Sequence, residues 1–216
     1  MKLAFIFAHP DDESLSSGGT IAKYVSSGYQ VSALCLSSDQ ERKIEYLKAT
    51  EVLGVQDVEI YDFNDVENNE IEIKEKVIQY ILKTTPETII THIENDYHID
   101  HRLTYNILRE GIEWAAHETQ FENPHLVSKL YTTETTILIP NPHVLVDITN
   151  FQSKKEEAIR CYKSQLYKGG EDFYLKFHNH RTLMRGAQAS TKYAEAYLQI
   201  PLKKNSPFYT QKHSEL

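Results

Sequence analysis

The run Ala8-His9-Pro10-Asp11-Asp12-Glu13 sets one imidazole beside three carboxylates at the end of an apolar stretch. Adjacent carboxylates repel, and a divalent cation among them would relieve that repulsion as the largest local charge. Zn²⁺ accepts histidine nitrogen and aspartate oxygen together. Taken alone, the run is equally compatible with a loop whose acids cap the next helix.

A second run, Asp96-Tyr97-His98-Ile99-Asp100-His101, follows a later apolar stretch and adds two imidazoles and two more acids. Its bland reading is a capped helix beginning near Arg102 with solvated histidines. Two such clusters at corresponding strand ends favour a shared metal site. Catalytic zinc takes three protein ligands and keeps one position open, whereas closed structural zinc is rich in Cys, of which this chain has only Cys35 and Cys161. A metal of that type activates water and polarises a carbonyl, and a neighbouring carboxylate carries the proton to a leaving amine. That chemistry is amide hydrolysis.

These clusters must be held by the elements before them. Lys2 to Phe7 reads as a buried strand, and Ile21, Tyr24 and Val25 recur at helical spacing behind Gly18-Gly19. Val31 to Leu36, a helix through Tyr46, Ala49 and Leu53 ended by a left-handed Gly54, and Val58 to Phe63 continue the alternation. A helix through Ile73, Val77, Tyr80 and Ile81 precedes Pro86, and Thr88 to Thr91 is the fourth strand. The βαβαβαβ order predicts an α/β, Rossmann-like fold with a mainly parallel sheet covered by helices on both faces, binding ligands beyond the carboxyl ends of its strands. Leu103 to Trp114 reads as a helix. Thr132 to Ile139 and Val144 to Ile148 read as late strands forming an antiparallel appendage, and Thr149 with Gln152 as a capping box opening a helix through Ala158, Ile159 and Tyr162.

The two runs, with Gly18-Gly19 after the first, resemble the LmbE/PIG-L deacetylases; weaker matches to bacillithiol-type members at Asp147-Ile148-Thr149, Tyr162-Lys163-Ser164-Gln165 and Tyr193-Ala194-Glu195-Ala196-Tyr197 carry the resemblance from about residue 3 to 200. The resemblance implies an LmbE-like fold and zinc, or iron in the cell, bound by His9, Asp12 and His101. It also implies Asp11 as general base and then acid, His98 as the charged imidazole facing the oxyanion, and Asp100 as the partner orienting His98. Arg42-Lys43-Ile44-Glu45 is similar to the family's Arg-x-x-Glu helix, whose Arg contacts the sugar, and Tyr193 matches a pocket position. Ser37 to Glu41 is shorter than the family's usual loop, which implies a sugar pocket more open or differently shaped.

Other candidates carry less. His178 and His180 lie two apart on a helix and point to different sides, so the stretch reads as solvated or substrate-facing. His92 reads as a half-buried strand residue.

The chain of 216 residues, with 40% hydrophobic and 25% charged residues, fits one domain over 1–216 with a poorly ordered tail over 201–216. A formal net charge of -8 argues against nucleic acid as a partner. No run is long enough for a membrane span, and two distant cysteines suit a cytoplasmic location. The partner expected is a small amino-sugar substrate, with a homo-oligomer left open. The function expected is release of acetate from an N-acetylglucosamine-type amide. The alternatives are an amidase on a larger sugar-thiol conjugate and a zinc- or sugar-binding module without turnover.

Overall fold

The computed structural model describes residues 1–166, 168, 170 and 172–202; the predicted tail from 203 onward lies outside them. The continuous apolar run Lys2–Phe7 forms β1, and the chain then alternates through α1 (Asp12–Ser26), β2 (Gln30–Ser37), α2 (Gln40–Leu53), β3 (Asp57–Phe63), α3 (Glu70–Thr84), β4 (Thr88–His92) and α4 (Ile99–Ala115). After β5 (Lys129–Thr133) come β6 (Val144–Asp147), α5 (Gln152–Ile159), α6 (Lys163–Leu166), α7 (Phe173–Gln188) and β7 (Ala194–Ile200).

The sheet has seven strands in the order β3-β2-β1-β4-β5-β7-β6. β1 to β5 pair in parallel, and β7 is antiparallel to both β5 and β6. Period-two alternation sends Ala4, Ile6 and Ala8 to the side covered by α3 and α4, and Leu3, Phe5 and Phe7 to the side covered by α1, α2 and α5. Being wrapped on both faces is why β1 reads as an unbroken apolar run.

Strand order reverses between β1 and β4, and the crevice beyond their carboxyl ends is where open α/β sheets take ligands. His9 to Asp12 follows β1 and Asp96 to His101 follows β4, so the topology brings the two chemical runs to one crevice.

Three local expectations differ from the structure. The first late strand is Lys129–Thr133 and pairs in parallel with β4, while β6 pairs with β7 instead, so these strands extend the main sheet and form no separate appendage. The Ala194–Ile200 segment that joins them gave no strand signal, because Glu195 sits on the buried side in place of an apolar residue. Thr149 makes no capping box: its Oγ1 accepts the Tyr193 N–H at 3.2 Å, and the segment starts as a 3₁₀ turn before α5.

Gly18 and Gly19 are packing residues. A Cβ on Gly19 would stand 2.5 Å from Ile148 Cδ1, and one on Gly18 would stand 3.1 Å from Lys155 Cγ, so the pair lets the segment around α5 close against α1. Lys155, fully buried, donates to Glu195 and to the Leu15 carbonyl, and Glu195 accepts the Gly19 and Thr20 amides. A buried lysine is tolerated because it is paired and hydrogen-bonded.

Candidate metal-dependent active site

Within the described residues, two donor sets have ligand atoms within 4.8 Å of one another, His9 with His98 and His101, and Asp12 with His92 and His101. Hydrogen bonding decides which of these donors keep a lone pair for a metal. His92 is fully buried rather than half-buried; its Nε2 accepts the Ala8 N–H at 3.0 Å and its Nδ1 lies 3.1 Å from Thr135 Oγ1. Its proton therefore sits on Nδ1 and its lone pair is taken, in keeping with a pKa lowered to about 4 by burial and by His101. Strands β1 and β4 are thus stitched together by a neutral imidazole.

His98 caps α4, its Nδ1 accepting the Asp100 N–H at 3.2 Å. Burial, with His9 and His101 nearby, lowers its pKa, against the charged imidazole that the resemblance implies, and with Nδ1 accepting from Asp100 the ring presents Nε2–H as a donor.

His9 and His101 are arranged the other way. His9 Nε2 lies 3.0 Å from Asp100 Oδ2 and His101 Nδ1 lies 3.2 Å from Asp96 Oδ2, the second contact poorly angled for a hydrogen bond. Those carboxylates hold the outer ring nitrogens and leave His9 Nδ1 and His101 Nε2 facing Asp12, at 3.5 Å from Oδ2 and 3.4 Å from Oδ1. Burial opposes charge on both rings, yet their carboxylate partners prevail and raise His9 to about 9 and His101 to about 10. Asp12 is 3% exposed and, despite burial, held well below the carboxylate range by His101 and His92. A buried anion flanked by two rings that are driven to carry protons is a pocket that demands positive charge, and a divalent cation on these three donors fits it.

Asp11 borders the same pocket. Burial and Asp12 push its pKa up to about 7 against the pull of Arg42, whose guanidinium lies 3.1 Å from Asp11 Oδ2 and also donates to the Pro10 carbonyl. Arg42 Nε is buried and has no hydrogen-bond partner among the described residues. Asp11 has φ 106 and ψ -30, a conformation that costs a non-glycine residue about 1–3 kcal/mol.

The structure thus gathers His9, Asp11, Asp12, His98, Asp100, His101 and Arg42 into one crevice. The Asp100 carboxylate pairs with His9 and the Val66 and Glu67 amides; it meets His98 through its backbone amide, not through the carboxylate as the resemblance implies. Tyr193 stands apart, its contacts running to Ile148, Thr149 and Lys192. His178 is fully buried rather than solvated, with no hydrogen-bond partner among the described residues, while His180 is exposed. Sequence reasoning gave no role to Asp96, although an acid five residues before His101 at a helix start is the available signal.

The family model described as PIG-L, GlcNAc-PI de-N-acetylase, matches residues 4–112, which contain both runs. The chain belongs to the PIG-L family. It is 26% identical over 223 residues to diacetylchitobiose deacetylase of Thermococcus kodakarensis, covering 93% of this chain and 83% of that one. It is 25% identical over 196 residues to "Probable N-acetyl-alpha-D-glucosaminyl L-malate deacetylase 2" of Bacillus cereus, covering 81% of this chain and 88% of that one. The crystal structure of the conserved protein TT1542 from Thermus thermophilus superposes with a TM-score of 0.83 at 22% identity, covering 96% of this chain and 98% of that one, which places the fold. As a PIG-L/LmbE member with a His/Asp cluster able to hold a divalent metal, the protein is a metal-dependent hydrolase of the deacetylase type. Among the described residues no helix is long and apolar enough to cross a membrane.

Proposed function

We propose that the protein removes the acetyl group from an N-acetylglucosamine-type sugar, with Zn²⁺ held by His9 Nδ1, Asp12 and His101 Nε2. The observation that supports this reading is the lone-pair pattern: the competing imidazoles of His92 and His98 spend theirs on backbone amides, which leaves the His9 Nδ1 and His101 Nε2 nitrogens facing Asp12, whose Oδ2 also accepts the His9 N–H at 2.8 Å and whose Oδ1 faces His101. Zinc, when bound, supplies Lewis acidity and brings water toward a neutral pKa. Asp11, poised near 7, takes the proton from the attacking water and returns it to the leaving nitrogen. His98 Nε2–H donates to the amide oxygen as it gains charge. Arg42 keeps Asp11 in place, and the exposed part of its guanidinium, at the border of the crevice, offers N–H to a sugar hydroxyl. The sugar itself is supported by the deacetylases that the chain resembles.

Amine release from N-acetylglucosamine, N,N'-diacetylchitobiose, and the malate and inositol conjugates of N-acetylglucosamine tests the reading with zinc-loaded protein. Release from at least one is expected; silence from all four with zinc bound sinks it.

Zinc binding itself carries a pH dependence. The ligand nitrogens must be neutral, whereas His9 and His101 are protonated below about 9 and about 10. Loading at pH 7 should therefore release about two protons, and affinity should rise with pH toward 9. Calorimetry in buffers of different ionisation enthalpy reads the proton count, and a count near zero contradicts the ligand set.

A further inference from the structure

A tyrosine hydroxyl that touches neither the metal donors nor the crevice closes a chain of hydrogen bonds ending on the Asp11 backbone. Tyr162 follows α5, is 1% exposed, and donates its hydroxyl to Glu13 Oε1 at 2.5 Å. Glu13, also 1% exposed, takes the Ser14 hydroxyl at 2.5 Å on the same oxygen, and its Oε2 accepts the Asp11 N–H at 3.2 Å. Packing accounts for the Tyr162 ring, which lies in the core between the sheet and helices α1, α2 and α5. A phenylalanine would fill that space as well, so the hydroxyl needs its own explanation. A buried hydroxyl on a buried carboxylate is a strong, directional contact, and removing it leaves the carboxylate under-satisfied.

The far end of the chain is the strained residue. Asp11 and Asp12 are consecutive, yet the site needs both carboxylates in one crevice, one toward Arg42 and one toward the histidines. The positive φ of Asp11 allows this, and an unfavourable dihedral persists only where its surroundings over-determine it. On the amide side that restraint is Glu13; on the carbonyl side it is the Leu15 N–H, which donates to the Asp11 carbonyl at 2.8 Å. Leu15 is itself fixed from the carboxyl-terminal half, since Lys155 and Arg181 both donate to its carbonyl at 2.8 and 2.6 Å.

We propose that Tyr162, through Glu13, is a positioning residue for the hydrolysis: it braces the Asp11 backbone in its positive-φ conformation and so aims the base. The proposal rests on the assignment of Asp11 as base. It gives a role to a residue outside the 4–112 segment that the family model covers. The side chain never reaches the substrate, and its effect falls on turnover rather than on binding.

The experiment compares Tyr162→Phe, Glu13→Ala, Glu13→Gln, the double variant Tyr162→Phe/Glu13→Ala and Asp11→Asn, each zinc-loaded. Readouts are kcat, KM, metal content and hydrogen exchange at the Asp11 amide. Tyr162→Phe should keep its metal and KM, lose about tenfold in kcat, and exchange the Asp11 amide about tenfold faster. Glu13→Ala should lose at least as much, and adding Tyr162→Phe to it should cost nothing further, because the chain is already cut. Glu13→Gln, whose amide oxygen can still accept the Asp11 N–H, should recover most of the rate lost in Glu13→Ala. Tyr162→Phe with wild-type kcat, or with wild-type exchange at Asp11, overturns the brace, as do additive losses in the double variant. Failure of the brace leaves Asp11→Asn inactive; an Asp11→Asn protein with normal turnover overturns the base assignment and the proposal with it.

Discussion

Asp11→Asn binds zinc at wild-type stoichiometry and loses about 10²- to 10⁴-fold in kcat, the span expected when a general acid-base group is removed. Asn fills the same volume beside Arg42, so the crevice keeps its shape, but the amide neither takes a proton from water nor returns one to nitrogen. The metal stays because Asp11 is not among the donors facing one another; those are His9 Nδ1, Asp12 and His101 Nε2. KM should change little if Arg42 keeps its place through the Pro10 carbonyl. Metal analysis beside steady-state kinetics on the best substrate of the panel checks both halves. Turnover within about tenfold of wild type would remove Asp11 from the mechanism.

His101→Ala should lose the metal and, with it, all measurable turnover. Two donors remain where three stood, and Asp96, held low in pKa by its contacts with His101 despite burial, loses that partner. Altering only the outer partner of a ligand weakens metal affinity by about 10- to 100-fold, so deleting the ligand should exceed that. The ring also stacks on His92 at 3.7 Å between centroids, and its loss opens a gap beside the residue that stitches β1 to β4. Metal content after dialysis is the measurement, with circular dichroism to show that the fold persists. One zinc per folded chain after dialysis would refute the ligand assignment.

Much of this was legible in the chain. The first four strands and their helices follow from apolar periodicity, which reports burial directly, and Gly54 takes the left-handed cap that its place after Leu53 predicts. The late strands were harder to read because β7 joins the sheet from the far end of the chain and carries Glu195 inward, satisfied by Lys155 and two amides contributed from elsewhere. A charged residue looks like surface until its distant partner is known.

For the site, the sequence by itself determined the donor types, their placement after β1 and β4, and hence the class of chemistry, since residue identity and strand order are local properties. Only the tertiary structure decided which nitrogens are free. His92 and His98 stand as close to the cluster as His9 and His101, and no spacing rule separates them. Their lone pairs go to the Ala8 and Asp100 amides, while Asp100 and Asp96 claim the outer nitrogens of the other two rings. A ligand's availability depends on where its second nitrogen and its lone pair are spent, and that is fixed by contacts between residues as far apart as Ala8 and His92, which the fold alone brings within 3.0 Å.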